Sequence, residues 1–139
     1  MTVVFVDTGA WIALLSGNDR HHERAFTYYE GLVSDGIRLL TTSDVVDETA
    51  TRLRYDVGLT AAVAFRDMLE AAVTARRVRL AWVDAGVHRE AWALLERHAD
   101  VELSLTDATS AVVARRAKVS EVFGFDGDFR ALGFDLRPG

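Results

Sequence analysis

Cysteine is absent from this chain of 139 residues, and its single proline, Pro138, lies next to the last residue. The lack of cysteine excludes disulfides and thiolate metal sites, and it fits a reducing compartment. No proline-rich linker, internal repeat or low-complexity segment divides the chain, so we expect one domain over residues 1–139. The chain contains no apolar run of about 18 residues, so no membrane span is predicted. Met1-Thr2 leads directly into a strand without signal-peptide features, which predicts a cytoplasmic protein.

Charge is unbalanced toward acid, with 16 basic residues against 21 acidic ones and a net charge of −5. Such a chain does not attract nucleic acid over long distances, unless its acids are concentrated at one site. Its basic residues are almost all arginine, whose planar guanidinium suits phosphate. Solvated helix faces that pair with nearby acids are the alternative interpretation. The basic clusters are Arg52 and Arg54; Arg76, Arg77 and Arg79; and Arg115, Arg116 and Lys118.

Strand and helix signals alternate along the chain, which predicts an α/β fold: a parallel sheet of four to five strands flanked by helices on both faces. The expected strands are Val3–Val6, Ile37–Thr41, Val78–Val83, Glu121–Phe125 and a short edge strand Asp135–Arg137. The expected helices are Gly9–Leu15, His21–Ser34, one from its cap Ser43 to about Gly58, one from its cap Thr60 to about Arg76, one from its cap Asp84 to about His98, Thr106–Lys118 and a turn at Asp128–Leu132.

Acidic residues stand where strands of this sheet end or helices begin, namely at Asp7, Glu48, Asp107, Asp126 and Asp128. Each alone has an ordinary interpretation as a helix cap, a first-turn acid or a partner in a surface ion pair. Gathering carboxylates within about 4 Å costs on the order of 4 kcal/mol per pair near a protein surface. A fold that gathers them therefore favours a hard divalent cation, which prefers oxygen ligands. Ligands of parallel sheets bind at the carboxyl ends of the strands, where Asp7 and Asp126 are expected.

Four short motifs resemble those of PIN domains, and within that family the VapC ribonuclease toxins of bacterial toxin–antitoxin pairs. The motifs occur in order and span nearly the whole chain: Val4-Phe5-Val6-Asp7-Thr8-Gly9-Ala10, Thr41-Thr42-Ser43-Asp44-Val45-Val46-Asp47-Glu48-Thr49, Ser104-Leu105-Thr106-Asp107-Ala108 and Phe125-Asp126-Gly127-Asp128-Phe129. Each motif is weakly specific by itself, and the four together are strongly specific. The resemblance implies a single PIN-like nuclease domain.

The resemblance also implies the site residues. The family's catalytic acids correspond to Asp7, Glu48, Asp107 and Asp126, with Asp7, Asp107, Asp126 and the more variable Asp128 as metal ligands. Thr8 and Thr106 are expected as supporting polar residues, and Ser104 as a helix cap. Asp44 and Asp47 lie close to Glu48, which matches by its place before Thr49-Ala50.

The implied chemistry is hydrolysis of RNA phosphodiesters by water activated on Mg²⁺ or Mn²⁺, with one ion or two. The implied partners are an RNA substrate, a cognate small antitoxin and a second copy of the chain. Arg76, Arg77 and Arg79 are expected to help hold RNA. The alternatives are a PIN-domain nuclease of RNA processing without an antitoxin, and a non-catalytic binding module. A phosphatase with an aspartyl nucleophile is disfavoured because Gly9 stands where its second acid is needed.

Overall fold

A five-stranded parallel sheet forms the centre of the computed structural model, which describes residues 2–139. The strand order is β3-β2-β1-β4-β5, and every pair of neighbours is parallel. This confirms the predicted α/β fold with its parallel sheet. The strands are β1 (Val3–Val6), β2 (Arg38–Thr42), β3 (Val78–Ala81), β4 (Glu121–Gly124) and β5 (Asp135–Pro138).

Within residues 2–139, seven helices connect and cover these strands. Their bounds lie within a few residues of the sequence expectation, which is the usual uncertainty at helix ends. α1 packs against α2 and α3, α5 packs against α6, and α3 contacts both α4 and α6. The helices are α1 (Thr8–Leu15), α2 (His22–Ser34), α3 (Ser43–Asp56), α4 (Leu59–Thr74), α5 (Ala85–Arg97), α6 (Leu105–Arg116) and α7 (Asp128–Ala131).

The core lies between the middle of the sheet and these helices. Val4, Phe5 and Val6 of β1 are fully buried, because the central strand of a parallel sheet is covered on both faces. Trp11 of α1 packs on Phe65 of α4 with their ring centroids 5.7 Å apart, and its indole N–H donates to the Thr41 hydroxyl at 3.3 Å. This contact fixes α1, and therefore the end of β1, against β2.

Two of the expected helix caps are wrong and two are confirmed. Thr42, not Ser43, caps α3, since its hydroxyl accepts from the Val45 N–H at 3.1 Å. The Ser43 hydroxyl instead accepts from the N–H of Val83 at 2.9 Å. α4 begins at Leu59 after Gly58, whose φ of 142° suits glycine, so Thr60 lies inside the helix. Asp84 and Ser104 cap α5 and α6 as expected.

The parallel arrangement gives the sheet two different edges. Asp7 directly follows β1, α3 starts immediately after β2, and Asp126 lies two residues beyond β4. All three therefore lie at the carboxyl edge, while the residues that lead into each strand lie at the opposite, amino edge. Among the described residues, no helix combines the length and the apolar character that crossing a bilayer requires.

Candidate active site

Asp7 occupies the turn between the central strand and α1. Its backbone N–H donates to the Phe123 carbonyl of β4 at 3.0 Å, and its carbonyl accepts from Ala10 at 3.1 Å. The residue stands at the cap position of α1, but its side chain makes no capping hydrogen bond. Its carboxylate is nevertheless buried, with 5% of the residue exposed. The ordinary interpretation of Asp7 as a helix cap is therefore excluded.

The environment of Asp7 opposes its negative charge. Burial, followed by the negative charges of Asp107, Glu48 and Asp126, raises the pKa of Asp7 from 3.8 to about 7. A hydrogen bond from the Thr8 backbone opposes this shift. The four acids come from four different elements or loops of the chain, so tertiary structure alone brings their charges together. Their mutual repulsion marks the place where a positive charge would be stabilised.

Asp107 has a structural role and an electrostatic one. Its carboxylate accepts from the Ser104 N–H at 3.0 Å, and its own N–H donates to the Ser104 hydroxyl at 3.0 Å. These reciprocal bonds form a capping box at the start of α6. Partial burial raises the pKa of Asp107 most, and the charges of Asp126 and Glu48 add to this increase. The capping box fixes the carboxylate beside the other acids.

Glu48 and Asp47 differ in their surroundings. Asp47 is exposed, whereas Glu48 is partly buried and raises the pKa of both Asp7 and Asp107. Glu48 lines an open groove of about 410 Å³ between the starts of α3 and α6. The groove residues are Asp44, Asp47, Glu48, Thr51, Arg52 and Thr106. Of the three acids at the start of α3, Glu48 therefore has the strongest electrostatic link to Asp7.

Asp126 and Asp128 stand at the end of β4 and the start of α7. The Asp126 carboxylate accepts from the Asp128 N–H at 3.0 Å, which orders the loop between them. Partial burial and then the Asp126 charge raise the pKa of Asp128, with a further contribution from Glu102. Asp128 is not among the groups that raise the pKa of Asp7. It thus lies at the periphery of the acidic group, next to Asp126.

The polar residues expected beside the acids take different positions. The Thr8 hydroxyl is buried without a hydrogen-bond partner among the described residues, with 2% of the residue exposed. Thr106 is partly buried and lines the groove beside Glu48. Ser104 is the cap of α6, as its position in the motif predicts. Buried unpaired hydroxyls are uncommon in folded proteins, so Thr8 is available to a group that enters the site.

The arginines expected to hold RNA lie far along the sheet from the acids. Arg76 and Arg77 lead into β3 and Arg79 lies within it, so Arg76 and Arg77 stand at the amino edge. β3 rises about 10 Å between its first and last residues, and Asp7 lies beyond the carboxyl end of a parallel neighbour. The structure therefore does not bring this cluster into the acidic site.

Three features of the site have no clear signal in the sequence. The Thr109 hydroxyl donates to the Asp44 carboxylate at 3.0 Å, although 65 residues separate the two in the chain. A Cβ on Gly124 would approach the Cβ of Asp7 to 3.2 Å, so only glycine fits there without displacement. The charge of Glu102, in the loop before α6, contributes to the raised pKa of Asp128. These relationships depend on tertiary packing, and only the glycine at the strand end indicates a close approach in advance.

The donor set fits a hard divalent cation. Its candidate ligands are carboxylate oxygens, which Mg²⁺ and Mn²⁺ prefer, and burial together with the charges of Asp107, Glu48 and Asp126 raises the pKa of Asp7. Within residues 2–139, no three His, Cys, Asp or Glu side chains are spaced closely enough to enclose an ion by themselves. A cation bound by this arrangement would therefore need water to complete its coordination, which is common for Mg²⁺.

Comparison with known proteins agrees with this geometry. The PIN-domain family profile matches residues 4–135. The 23S rRNA-specific endonuclease VapC20 of Mycobacterium tuberculosis is 36% identical over 137 residues, which cover 98% of this chain and 99% of the relative. The crystal structure of VapC20, a sarcin–ricin loop cleaving toxin, superposes with a TM-score of 0.80 over 94% of this chain and 95% of that one.

More distant structures share the fold. VapBC2 from Rickettsia felis, solved with a DNA fragment of its promoter, has 13% identity and a TM-score of 0.71, covering 98% of each chain. FitAcB from Neisseria gonorrhoeae has 16% identity and a TM-score of 0.65, covering 96% of this chain and 95% of that one. The resemblance seen in the four motifs is confirmed, and the chain belongs to the PIN-domain family as a homologue of the VapC toxins.

Proposed function

We propose that this protein is a metal-dependent endoribonuclease and the toxin of a VapBC-type toxin–antitoxin pair. The observation that carries the proposal is the environment of Asp7. A buried carboxylate at the end of the central strand has its pKa raised to about 7, in part by the charges of Asp107, Glu48 and Asp126. Such an arrangement costs stability in the free protein, and it is useful where a cation and a phosphodiester meet.

The chain's own residues divide into three roles. Asp7, Asp107 and Asp126 would hold Mg²⁺ or Mn²⁺, directly or through water, with Asp128 as a peripheral ligand. The ion would lower the pKa of a bound water and stabilise charge on the phosphoryl oxygens. Glu48 faces the same site from α3 and is placed to accept a proton or to orient water. Ser104 keeps Asp107 in position through the capping box, and Thr8 and Thr106 offer hydroxyls to water or phosphate.

The substrate we propose is a structured loop of ribosomal RNA, acted on in the cytoplasm. This follows from the full-length relation to VapC20, whose name describes a 23S rRNA-specific endonuclease. No histidine would be needed for the reaction, because a bound metal ion would supply the activated water. Recognition of an RNA loop depends on exposed bases and on shape, so residues outside the acidic site must select the target.

The partner we propose is a small antitoxin that covers part of the helical surface. VapBC2 and FitAcB, which share this fold, are toxin–antitoxin complexes, and this supports a paired state for the chain. α2 and α3 are the candidate contact surfaces, and large apolar side chains are exposed on and near them. These are Phe26, Val33, Tyr55, Val57 and Leu59. A second copy of the chain is also an expected partner.

The test is cleavage of purified 23S rRNA by the partner-free protein, with Asp7→Asn as the inactive control. We expect cutting at discrete positions with Mg²⁺ or Mn²⁺, no cutting with EDTA, and no cutting by Asp7→Asn. Failure of the well-folded wild type to cut 23S rRNA would contradict the proposed substrate. Failure to cut total cellular RNA as well would favour a non-catalytic binding module. Cutting that persists in EDTA would contradict the role of the metal.

A further inference from the structure

Two apolar pockets meet at the amino edge of the sheet, away from the acids. The larger has a volume of about 540 Å³ and includes Val3, Leu40 and Val73. The smaller has a volume of about 350 Å³. Arg38 and Arg76 line both pockets. No acidic residue lines either of them, although the chain as a whole is acidic. The pockets therefore combine an apolar interior with a cationic rim.

The arginines of this rim have no partner in the described part of the chain. Arg38, Arg76 and Arg79 are exposed, and the described ion pairs join only other residues. The helix ends nearby contribute partial negative charge, because α4 and α6 both terminate here. Each helix end carries roughly half an elementary charge, so the two ends together balance about one of the three guanidinium groups. The rim keeps a net positive charge that suits an anion.

Backbone conformation singles out the same place. Among residues 2–139, Arg76 and Lys118 are the non-glycine residues with positive φ, at 59° and 58°. Glycine adopts this conformation without steric cost, yet both positions carry a cation. Arg76 follows α4, and Lys118 lies between Ala117 and Val119, which line the larger pocket. Cations at strained positions on both sides of one pocket are consistent with a binding role.

A third pocket leads from this region to the carboxyl edge. Its volume is about 220 Å³, it shares Leu40, Arg79 and Ala117 with the larger pocket, and it reaches Trp82. Asp84 and Arg116 also line it, and each has a partner: the Asp84 carboxylate accepts from the Val87 N–H, and Arg116 pairs with Glu90. Arg79 is thus the basic side chain of this pocket that has no partner among the described residues, and the nearby Asp84 charge is offset in part by Arg116 and Arg89.

Trp82 connects this path to the acidic site. It follows β3 at the carboxyl edge, and its side chain is 77% exposed. The next residue, Val83, donates its N–H to the Ser43 hydroxyl at the first position of α3, the helix that carries Glu48. A groove lined by Arg38, Arg76, Arg79 and Trp82 therefore runs beside the edge strand from the amino edge to the catalytic side.

We infer that this edge groove, defined by Arg38, Arg76, Arg79 and Trp82, binds a single-stranded segment of the RNA that is cut at the acids. The inference rests on the proposed function. Phosphates would pair with the arginines, one base would enter the larger pocket, and another would stack on Trp82. Cationic grooves with exposed aromatic rings are the usual means of binding single-stranded nucleic acid. A purely aliphatic anion would use the pocket and the arginines but would not need Trp82.

The experiment measures binding of a fluorescent RNA hairpin that carries the sarcin–ricin loop with single-stranded flanks, in an Asp7→Asn background. Arg76→Gly with Arg79→Gln removes two groove charges, and glycine suits the backbone at position 76. Arg66→Gln with Arg97→Gln is the matched control, because it removes the same charge from exposed sites elsewhere. Val73→Phe fills the larger pocket without changing charge. Circular dichroism and melting temperature establish that each variant is folded.

We expect Arg76→Gly with Arg79→Gln to weaken RNA binding roughly tenfold relative to the control, from the loss of charge-assisted hydrogen bonds. The dependence of log affinity on log salt should fall by about 1.4, since each single-strand phosphate contact contributes about 0.7. Val73→Phe should also weaken binding, and Trp82→Ala should do so even though it changes no charge. In the otherwise wild-type enzyme, these changes should raise KM and leave kcat unchanged.

Affinity equal to that of the control in all groove variants would overturn the inference. So would a dimer that dissociates in the Trp82→Ala variant while RNA affinity stays the same, because the groove would then be covered by a second copy. The proposed function fails separately: a wild type that binds the hairpin through the groove but cuts no RNA would contradict catalysis and support the groove. If the wild type cuts RNA and the groove variants bind and cut it equally well, the result would support catalysis and contradict the groove.

Discussion

The hydroxyl of Thr109 donates a 3.0 Å hydrogen bond to the carboxylate of Asp44 and so links α6 to α3. These two helices carry Asp107 and Glu48, and the bond spans the space between their first turns. The same hydroxyl lies 3.1 Å from the Thr106 carbonyl. The relative position of Asp107 and Glu48 therefore depends on a pair of residues outside the acidic group.

We expect Thr109→Val to lower the free energy of unfolding by about 1 kcal/mol, because the bond is charge-assisted but Asp44 is partly solvated. A comparable loss in transition-state stabilisation would lower kcat roughly fivefold. Thr109→Ser keeps the hydroxyl and should retain most of the activity. A double-mutant cycle with Asp44→Asn measures the coupling of the pair, and additive effects on stability would contradict the link.

The raised pKa of Asp7 should make the stability of the metal-free protein depend on pH. In the unfolded chain this carboxyl titrates near 3.8, and in the folded protein near 7. Between these values the folded state holds the extra proton, so the metal-free protein should lose stability as pH rises from about 4 to 7, by a few kcal/mol from this group. Asp7→Asn, which carries no charge, should lack this loss and melt higher than wild type at pH 8.

The measurement is thermal unfolding of the metal-free wild type and Asp7→Asn at pH 5 and pH 8. The gap in melting temperature should be large at pH 8 and small at pH 5. Added Mg²⁺ should stabilise wild type at pH 8 and have little effect on Asp7→Asn, because a cation binds the deprotonated site. Equal gaps at both pH values would contradict the assigned environment of Asp7.

Gly124 should be sensitive to substitution because its backbone lies against Asp7. In Gly124→Ala the new Cβ would lie 3.2 Å from the Asp7 Cβ and 3.6 Å from one of its carboxylate oxygens, so the acid must shift. Overpacking of this kind typically costs about 1–3 kcal/mol. We expect a marked loss of cleavage together with a moderate drop in melting temperature.

Gly127→Ala is the matched control, because a Cβ there meets only the end of Arg130 and the backbone φ of −61° suits any residue. It should leave both cleavage and melting temperature nearly unchanged. Equal cleavage and equal melting temperatures of Gly124→Ala and Gly127→Ala would show that the close approach of residue 124 to Asp7 does not affect function.

Isosteric substitutions can distinguish the role of Glu48 from that of Asp47. Glu48→Gln should abolish most of the cleavage and lower the pKa of Asp7, since Glu48 is one of the charges that raise it. Asp47→Asn removes a neighbouring charge from an exposed position and should have a small effect. Cleavage rates report the first expectation, and NMR titration of the Asp7 side-chain carboxyl reports the second. Equal loss of activity in the two variants would contradict the assignment of Glu48.

The sequence predicts the sheet and the main acids because these depend on local pattern. Val4, Phe5 and Val6 form an apolar run typical of a buried central strand, and Asp7 ends it. The sequence predicts the start of α3 one residue too late, because Thr42 and Ser43 are both good caps and the choice depends on the tertiary contact of Ser43 with Val83. The pairing of Asp44 with Thr109 could not be predicted, since it depends on how α3 packs against α6.

Substitutions of Asp107 and Asp7 should have opposite effects on stability, because Asp107 belongs to a capping box and Asp7 is buried at a strand end. Loss of the Asp107 carboxylate, as in Asp107→Ala, removes one of the two capping-box hydrogen bonds together with a site acid, so the variant protein should also be less stable and less abundant. Loss of the Asp7 charge relieves repulsion, so the inactive protein should accumulate with its outer surface intact. In a cell that depends on a paired antitoxin, variants at Asp7 would persist as harmless competitors that still bind the antitoxin, whereas variants at Asp107 would be degraded.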